Sequence, residues 1–165
     1  MAVLALQTTE AASVDTSVGG RLYNTQKWGT LRLLYFTLAA VAVAGDATST
    51  VDLCKLPPGK LRILPKLSWL KSTAFGAGRT LSVGFAAYND SAGAAVAADP
   101  TALLSALDVS AAINASNLGA PVANTAQKYD VYSQGGILIR ARVNVDTIPV
   151  NTTLEGYIAF VMSGA

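Results

Sequence analysis

Few residues in this chain have side chains suited to catalysis. None of its 165 residues is histidine and only one, Cys54, is cysteine. The chain therefore lacks the imidazole of most catalytic triads and zinc sites, and it cannot form an intrachain disulfide or a thiolate-rich metal cluster. Its ten acidic residues are scattered along the sequence, whereas a glycosidase needs two carboxylates facing one site. We expect no enzymatic activity, no metal and no cofactor.

Two further features have a structural interpretation. The segment from Phe75 to Thr80 contains a G-x-G sequence, but it lacks the third glycine of a dinucleotide fingerprint and the Lys-Ser/Thr of a P-loop. It also precedes a predicted strand rather than a helix. We interpret it as a structural turn. Cys54 lies among strand-forming residues, which predicts a buried and inert thiol.

Positive charge is concentrated in one part of the chain. The net charge is only +2, yet half of the 12 basic residues fall in one segment, with no acid between Asp52 and Asp90. The basic residues of this segment are Lys55, Lys60, Arg62, Lys66, Lys71 and Arg79. The simplest interpretation of this segment is a strand with one face in solvent, because lysines at every second position are typical of any solvated strand face.

Two functional interpretations of this basic segment stand beside that one. It could contact nucleic acid, with Trp69 and Phe75 stacking on bases. Alternatively, it docks on an acidic protein surface, with charge setting the register more than the affinity. We favour docking over nucleic acid, because the small net charge gives the molecule no strong field.

The composition predicts that another protein covers part of this protein's surface. Hydrophobic residues make up 52% of the chain and charged residues only 13%, and 29 residues are alanine. So few charges leave much apolar surface for a second copy or a different protein to bury. A membrane is not expected, because the longest uncharged apolar run, residues 33–45, is shorter than the roughly 20 residues of a spanning helix. The first ten residues do not resemble a secretory signal, so we expect synthesis in the cytoplasm.

Alternating and apolar stretches bounded by turn residues predict strands along most of the chain. The stretches are residues 30–44, 48–56, 59–71, 80–88, 136–145 and 153–162. Residues 30–44 predict one long strand or two, and from Leu33 onward both faces are nearly apolar, which predicts a strand covered on both sides. In residues 59–71 the odd positions, Leu61 to Trp69, are apolar and the even ones mostly basic, and Pro65 places this strand at an edge or breaks it.

One segment has the pattern of a helix. Asp99 is a candidate N-cap, Pro100 suits the first helical position, and apolar residues follow at helical spacing up to Leu107. Together the elements predict a β-sandwich or partly closed barrel of seven or eight strands with one short helix, spanning residues 30–165.

Residues 1–29 are polar, rich in small residues and without a sustained period, so we interpret them as an extended N-terminal arm. Two possibilities are open for this arm. It is a disordered tail, or it lies across a neighbouring subunit with Leu22, Tyr23 and Trp28 as anchors in pockets.

The order of these pieces resembles the small virion structural proteins of tailed bacteriophages. The segments that carry the resemblance are residues 19–22, 44–46, 55–64, 72–85, 145–149 and 154–159. They are strand and turn patterns, not catalytic fingerprints. The resemblance implies a head decoration or cement protein with a jelly-roll-like antiparallel β-sandwich, and no catalytic or cofactor site transfers with it.

From this resemblance we expect a protein of the virion surface that binds the major capsid protein and itself, as a dimer or trimer, and stabilises the head. Nucleic acid, membrane and small-molecule substrates are not expected partners. The candidate contact residues are Leu22, Tyr23, Trp28, Lys60, Arg62, Lys66 and Trp69.

A second function stays open from the sequence. The chain could be a lectin-like carbohydrate-binding module of a phage tail or fibre, in which exposed aromatic rings meet a sugar beside Asp or Asn. The candidate rings are Trp69, Tyr88, Tyr129 and Tyr132.

Overall fold

A computed structural model describes residues 5–7, 31–46, 49–118 and 129–162. These residues form thirteen strands and one turn of 3-10 helix, Pro65–Leu67. The strands are β1 (Ala5–Gln7), β2 (Leu31–Leu38), β3 (Thr50–Leu56), β4 (Gly59–Ile63), β5 (Trp69–Ser72), β6 (Thr80–Phe85), β7 (Tyr88–Asn89), β8 (Ala95–Val96), β9 (Asp99–Asp108), β10 (Ile113–Asn117), β11 (Tyr129–Ser133), β12 (Ile137–Val143) and β13 (Leu154–Met162).

The strands form two large sheets and a small β7–β8 hairpin. Sheet A has the order β1-β3-β12-β6-β9, and sheet B contains β10-β5-β13-β4-β11 with β2 beside β13. All pairs are antiparallel except β1 with β3. Inward side chains of both sheets, such as Val83 and Ile139 from A and Leu70 and Phe160 from B, share one buried core. The predicted all-β sandwich is confirmed.

Strand β13 is the centre of sheet B. Along one side it pairs with β2, residue for residue, from Leu154↔Leu38 to Val161↔Leu31. Along the other side it pairs first with β5, where Tyr157 faces Trp69, and then with β4, where Phe160 faces Ile63. Strands β4 and β5 are therefore two halves of one strand, separated by the 3-10 turn, and the predicted break at Pro65 is confirmed.

The break at Pro65 reverses which residues face the core. Cα partner numbers sum to 223 in β4 with β13 and to 226 in β5 with β13, a shift of three residues. Because side chains alternate with period two, an odd shift turns the strand over. Leu61 and Ile63 are buried before the break, but Ser68, Leu70 and Ser72 are buried after it. The single apolar face predicted for residues 59–71 is therefore wrong beyond Pro65.

Ser68 holds the inserted turn against β13. Its Oγ donates a hydrogen bond to the carbonyl of Leu64 at 3.0 Å and accepts one from the amide of Ala159 at 2.9 Å. The amide of Leu64 in turn donates to the carbonyl of Ala159. Ser68 thus supplies the ladder bond that the break would otherwise leave unmade, which a fully buried backbone amide requires.

The helix predicted from Asp99 to Leu107 is wrong, because this segment forms strand β9. The Asp99 carboxylate does accept the amide hydrogen bond of Thr101 at 3.0 Å, as in an Asx turn, a local bond that also serves helix caps. The chain then pairs with β6 through two register shifts. Ala106 adopts φ 50° and its amide donates to the Oγ of Ser82. The register shifts allow three consecutive residues, Ala102, Leu103 and Leu104, to be buried, so the apolar residues of β9 do not alternate as in a regular strand.

Strand β2 also differs from its prediction. It was expected to be covered on both faces, but Leu31, Leu33 and Tyr35 are exposed by 48%, 42% and 59%. Only its other face, with Phe36 and Leu38, is buried. Of the predicted arm, residues 1–29, the structure describes only β1, which pairs in parallel with β3, so the arm and its boundary stay predictions. In the ranges given above, no helix has the length and apolarity to cross a membrane.

Candidate functional site

The solvent-facing side of sheet B is the candidate site, and we call it the outer face. Its members alternate with buried residues along β2, β13, β5, β4 and β11. They are Leu31, Leu33, Tyr35, Tyr157, Val161, Trp69, Lys71, Glu155, Lys60, Arg62, Asp130 and Tyr132.

Three aromatic rings form a row across the centre of the outer face. Tyr157 lies directly opposite Tyr35 on one neighbouring strand and Trp69 on the other. The Tyr35 and Tyr157 ring centroids are 5.5 Å apart in an edge-to-face arrangement, and the Trp69 and Tyr157 centroids are 6.2 Å apart and stacked. Such pairs contribute roughly 0.5–1.5 kcal/mol each beyond area burial, so the rings are held in place before any partner binds.

Aliphatic side chains extend this row into a patch. Leu31 and Leu33 lie beside Tyr35 on β2, and Leu67 projects from the 3-10 turn with 53% of its surface exposed. Exposed large apolar side chains on adjacent strands of one sheet mark sites of interaction.

An ion pair lies on each side of the apolar patch. Arg62 Nε lies 2.7 Å from the Asp130 carboxylate, and Arg62 also donates a second hydrogen bond to it at 3.3 Å. The hydrogen bond to Asp130, and then its charge, raise the pKa of Arg62 above its usual value. At the other end Lys71 Nζ lies 2.7 Å from Glu155. An apolar centre with a charged rim is the usual anatomy of a protein interface.

The structure brings together three of the residues predicted from the sequence as contacts. Lys60, Arg62 and Trp69 share the outer face, because the shift at Pro65 turns Trp69 to the side of the basic residues. Lys66 is exposed on the 3-10 turn. Leu22, Tyr23 and Trp28 lie outside the described residues. Two central rings, Tyr35 and Tyr157, were missed, although both stand at alternate positions of predicted strands.

The basic segment as a whole is not one face. Lys55 lies on β3 in sheet A. Arg79 directly precedes β6 of the same sheet, and its guanidinium lies 2.6 Å from the Asp146 carboxylate. Phe75 is buried in the core and presents no ring for base stacking. The carbonyl of Phe75 accepts a hydrogen bond from Arg79, and Gly76 and Gly78 adopt φ 98° and 74°, which glycine tolerates best. The G-x-G segment is a turn tied by Arg79, as predicted.

Ser68 and Lys71 stand in the S-x-x-K spacing used by some acyl-transfer enzymes. In this chain the two side chains lie on opposite sides of sheet B: Ser68 is buried and hydrogen-bonded to the backbone, whereas Lys71 pairs with Glu155 on the outer face. Lys71 therefore lies on the wrong side of the sheet to take the proton of the Ser68 hydroxyl. Cys54 is fully buried, as predicted, and among the residues with described positions no cluster of acids and cysteine suits a metal.

The rings predicted to bind carbohydrate do not form one group. Trp69 and Tyr132 lie on the outer face, but Tyr88 lies on β7 in a cavity with Lys55, Asn89 and Gln134. Burial, and secondarily the charge of Asp90, raise the pKa of Tyr88 above its usual value. The side chain of Tyr129 lies outside the described parts of the structure.

Comparisons with known proteins give a distant likeness. No protein-family model matches the sequence, and no curated protein matches it. One solved structure, the cyanophage Pam1 capsid asymmetric unit, aligns with a TM-score of 0.47 and 18% sequence identity. The alignment covers 88% of this chain and 96% of that chain. A likeness this distant assigns the chain to no family.

Proposed function

We propose that this protein is a virion structural protein that decorates a phage head: the outer face of sheet B docks on the major capsid protein and stabilises the lattice. The observation that carries the proposal is the exposed apolar patch of the outer face, with three ordered rings at its centre and an ion pair at each end. The sequence resemblance to small phage virion proteins supplies the class of partner. In this proposal the protein is made in the host cytoplasm and resides on the capsid surface.

The outer face has the properties that docking requires. Ordered aromatic side chains bury large areas while losing little conformational entropy, and they dominate binding energies at interfaces. Trp69 and Tyr157 are already stacked, so binding does not have to order them. Tyr35 and Leu67, each more than half exposed, supply the area that a partner would remove from water.

Charge would set the orientation on the partner. Arg62 and Lys71 are already paired with acids of the same chain. Lys60 and Lys66 are exposed and form no ion pair with the described part of the chain. Two such lysines beside an apolar patch complement an acidic rim on a capsid subunit, and rim charges act mainly on association rate and register.

Stabilisation of the head would follow from repetition. Each copy contributes a modest contact, but contacts repeated over a lattice hold neighbouring subunits together and raise the barrier to their separation.

The test uses phage particles that carry this protein. Heads and tails are separated, and the protein is located in the fractions; we expect it with heads. Heads depleted of it are then mixed with Tyr35→Glu or with the control Val145→Glu. Tyr35 is 59% exposed and Val145 is 54% exposed. Val145 follows β12 of sheet A, so the control adds the same charge at a matched exposure away from the outer face. We expect Tyr35→Glu alone to lose head occupancy and heat resistance. Location with tails, or equal occupancy by both variants, would refute the proposal.

The row of rings also favours a second candidate, a carbohydrate-binding module of a tail or fibre. Sugars stack on exposed rings, and Asn117 lies directly opposite Trp69 on β10, where its amide would hydrogen-bond to a bound sugar. This candidate predicts location with tails and binding to a glycan array that Trp69→Ala abolishes. Location with heads and no glycan binding would exclude it.

A further inference from the structure

A cavity at one end of the sandwich holds polar side chains that do not belong to the outer face. Its volume is about 540 Å³, within the roughly 300–1,000 Å³ that is typical of small-molecule sites. It lies where the chain crosses from β11 of sheet B to β12 of sheet A, beside the β7–β8 hairpin. Its walls include Tyr88, Asn89, Gln134, Gly135 and Leu138. Connections held by a rigid pair of sheets are common places for binding sites.

Hydrogen bonds fix the two chain segments that form the walls of this cavity. The amide of Ala86 donates to the carbonyl of Leu138 at 2.9 Å, and the backbone amide of Gln134 donates to the carbonyl of Asn89 at 3.3 Å. The Gln134 side chain also reaches the hairpin, since its Nε2 donates to the carbonyl of Ser91 at 3.0 Å. The cavity is therefore formed before a ligand arrives, which lowers the entropic cost of binding.

Three polar groups of the lining residues are available to a ligand. In the described part of the chain, the Tyr88 hydroxyl, the Asn89 side-chain amide and Gln134 Oε1 take part in no hydrogen bond. Tyr88 packs its ring against the core. Burial raises the pKa of Tyr88, so its hydroxyl stays protonated at neutral pH and can both donate and accept.

The chemistry of the lining fits a neutral ligand that is rich in hydroxyl groups. A phenol, an amide and an amide oxygen offer donors and acceptors without a net charge. Lys55, the only charged residue among the described lining residues, already has an interaction within the chain. The apolar part of the wall, Ala86, Ala87 and Leu138, suits the C–H face of a sugar ring. Apolar walls with a few placed polar groups are the usual design of a small-molecule site.

We propose that this cavity binds a sugar unit of a neutral glycan, with Tyr88, Asn89 and Gln134 hydrogen-bonding to its hydroxyl groups. The cavity shares no residue with the outer face. The proposal therefore succeeds or fails independently of docking on phage heads, and independently of carbohydrate binding at Trp69.

The first test applies the purified full chain to an array of neutral, sulfated and sialylated glycans, and titrates the glycans that bind by calorimetry. We expect binding to neutral glycans. Asn89→Ala removes one hydrogen-bonding group from an exposed position and should weaken this binding roughly fivefold or more. The matched control Asn117→Ala removes an exposed amide beside Trp69 on the outer face and should bind as the unchanged protein does.

The second test fills the cavity. Gly135 does not adopt a positive φ, and a Cβ at this position would meet no atom within 4 Å, so the fold accepts a side chain there. Gly135→Phe should abolish glycan binding, whereas the small side chain of the control Gly135→Ala should preserve most of it. Circular dichroism confirms that both variants are folded.

Three results would overturn the proposal. The first is that the unchanged protein binds no glycan of the array, and the second is that it binds only sulfated or sialylated glycans. The third is binding that Trp69→Ala abolishes and Gly135→Phe leaves intact, which would place the carbohydrate on the outer face.

Discussion

The outer surface of sheet A carries polar side chains that bond to one another, whereas the outer surface of sheet B is largely apolar. On sheet A, Arg140 Nε lies 2.5 Å from the largely buried carboxylate of Asp52. Just past the end of β12, the side-chain amide of Asn144 donates to the hydroxyls of Thr80 and Ser82 at 3.1 and 2.8 Å. Sheet B instead exposes an apolar patch of rings and leucines, and its ion pairs are about half exposed or nearly so.

This difference separates stability from binding. The polar groups of sheet A find their partners within the chain, in places with little water, where losing one partner leaves a buried group unsatisfied. The apolar side chains on the outer face of sheet B need no hydrogen-bonding partner, but they remain in contact with water until another molecule covers them. Substitutions on sheet A should therefore change folding, and those on sheet B should change association.

The largest effect expected is from Asp52→Asn. The substitution keeps the shape of the side chain but removes the charge that compensates the partly buried Arg140. We expect the free energy of unfolding to fall by about 2–4 kcal/mol, somewhat less than for a fully buried pair, because the Arg140 side chain is 34% exposed. Urea denaturation measures this change, and head occupancy at a temperature where the variant is folded should be unchanged. A loss below about 1 kcal/mol would show that sheet A does not stabilise the fold in this way.

Asn144→Ala should have the next largest effect. The amide group bridges Thr80 and Ser82 and its oxygen accepts from the guanidinium of Arg142 at 3.3 and 3.4 Å. Its removal leaves the fully buried hydroxyl of Ser82 with fewer partners, so we expect a loss of about 1–3 kcal/mol. The control Asn89→Ala changes an exposed amide and should stay within about 0.5 kcal/mol. Equal melting temperatures for the two variants would contradict the prediction.

On sheet B, Trp69→Ala should affect binding to heads more than it affects folding. Trp69 is half-buried, so the loss of that buried area and of stacking on Tyr157 should lower the free energy of unfolding by about 1–3 kcal/mol. Removal of a central ring should reduce binding to heads more than tenfold, which is typical of an interfacial tryptophan. Thermal denaturation and a head-binding titration measure the two effects. Unchanged binding would place the docking surface elsewhere on the molecule.

The strands were predictable where one side of the chain is buried and the other is not. Strand β12 alternates buried Ile137, Ile139, Ala141 and Val143 with half-exposed residues, and the same alternation is visible in the sequence. Strand β2 was harder, because Leu31, Leu33 and Tyr35 are apolar yet exposed. Burial depends on what covers a face, and the residue types of the strand alone do not specify a cover.

The candidate site depended on a shift that the sequence does not display. Pro65 predicts a break, but its consequence depends on how many residues leave the ladder before pairing with β13 resumes. Three residues leave it, so Trp69 joins Lys60 and Arg62 instead of facing the core. In β9 the tertiary pairing with β6 likewise prevails over the local helical pattern that begins at Asp99, since strand pairing satisfies the backbone of a partly buried segment.

The smallest effect expected is from Glu155→Gln, the counterpart on sheet B of Asp52→Asn on sheet A. Lys71 and Glu155 are each 46% exposed, so water and salt already screen their attraction, and we expect a loss of below about 1 kcal/mol. The contrast between the two substitutions should persist in 1 M salt, where the Debye length is about 3 Å. Salt at this concentration screens exposed charges strongly but buried charges far less. Urea denaturation of both variants at low and high salt measures it. If the Glu155→Gln loss disappears at high salt while most of the Asp52→Asn loss remains, the burial of the charges, rather than the number of ion pairs, explains why one surface stabilises the fold. If both losses disappear together, the Asp52–Arg140 pair behaves as a surface pair, and the proposed separation of stability from binding fails on the side of sheet A.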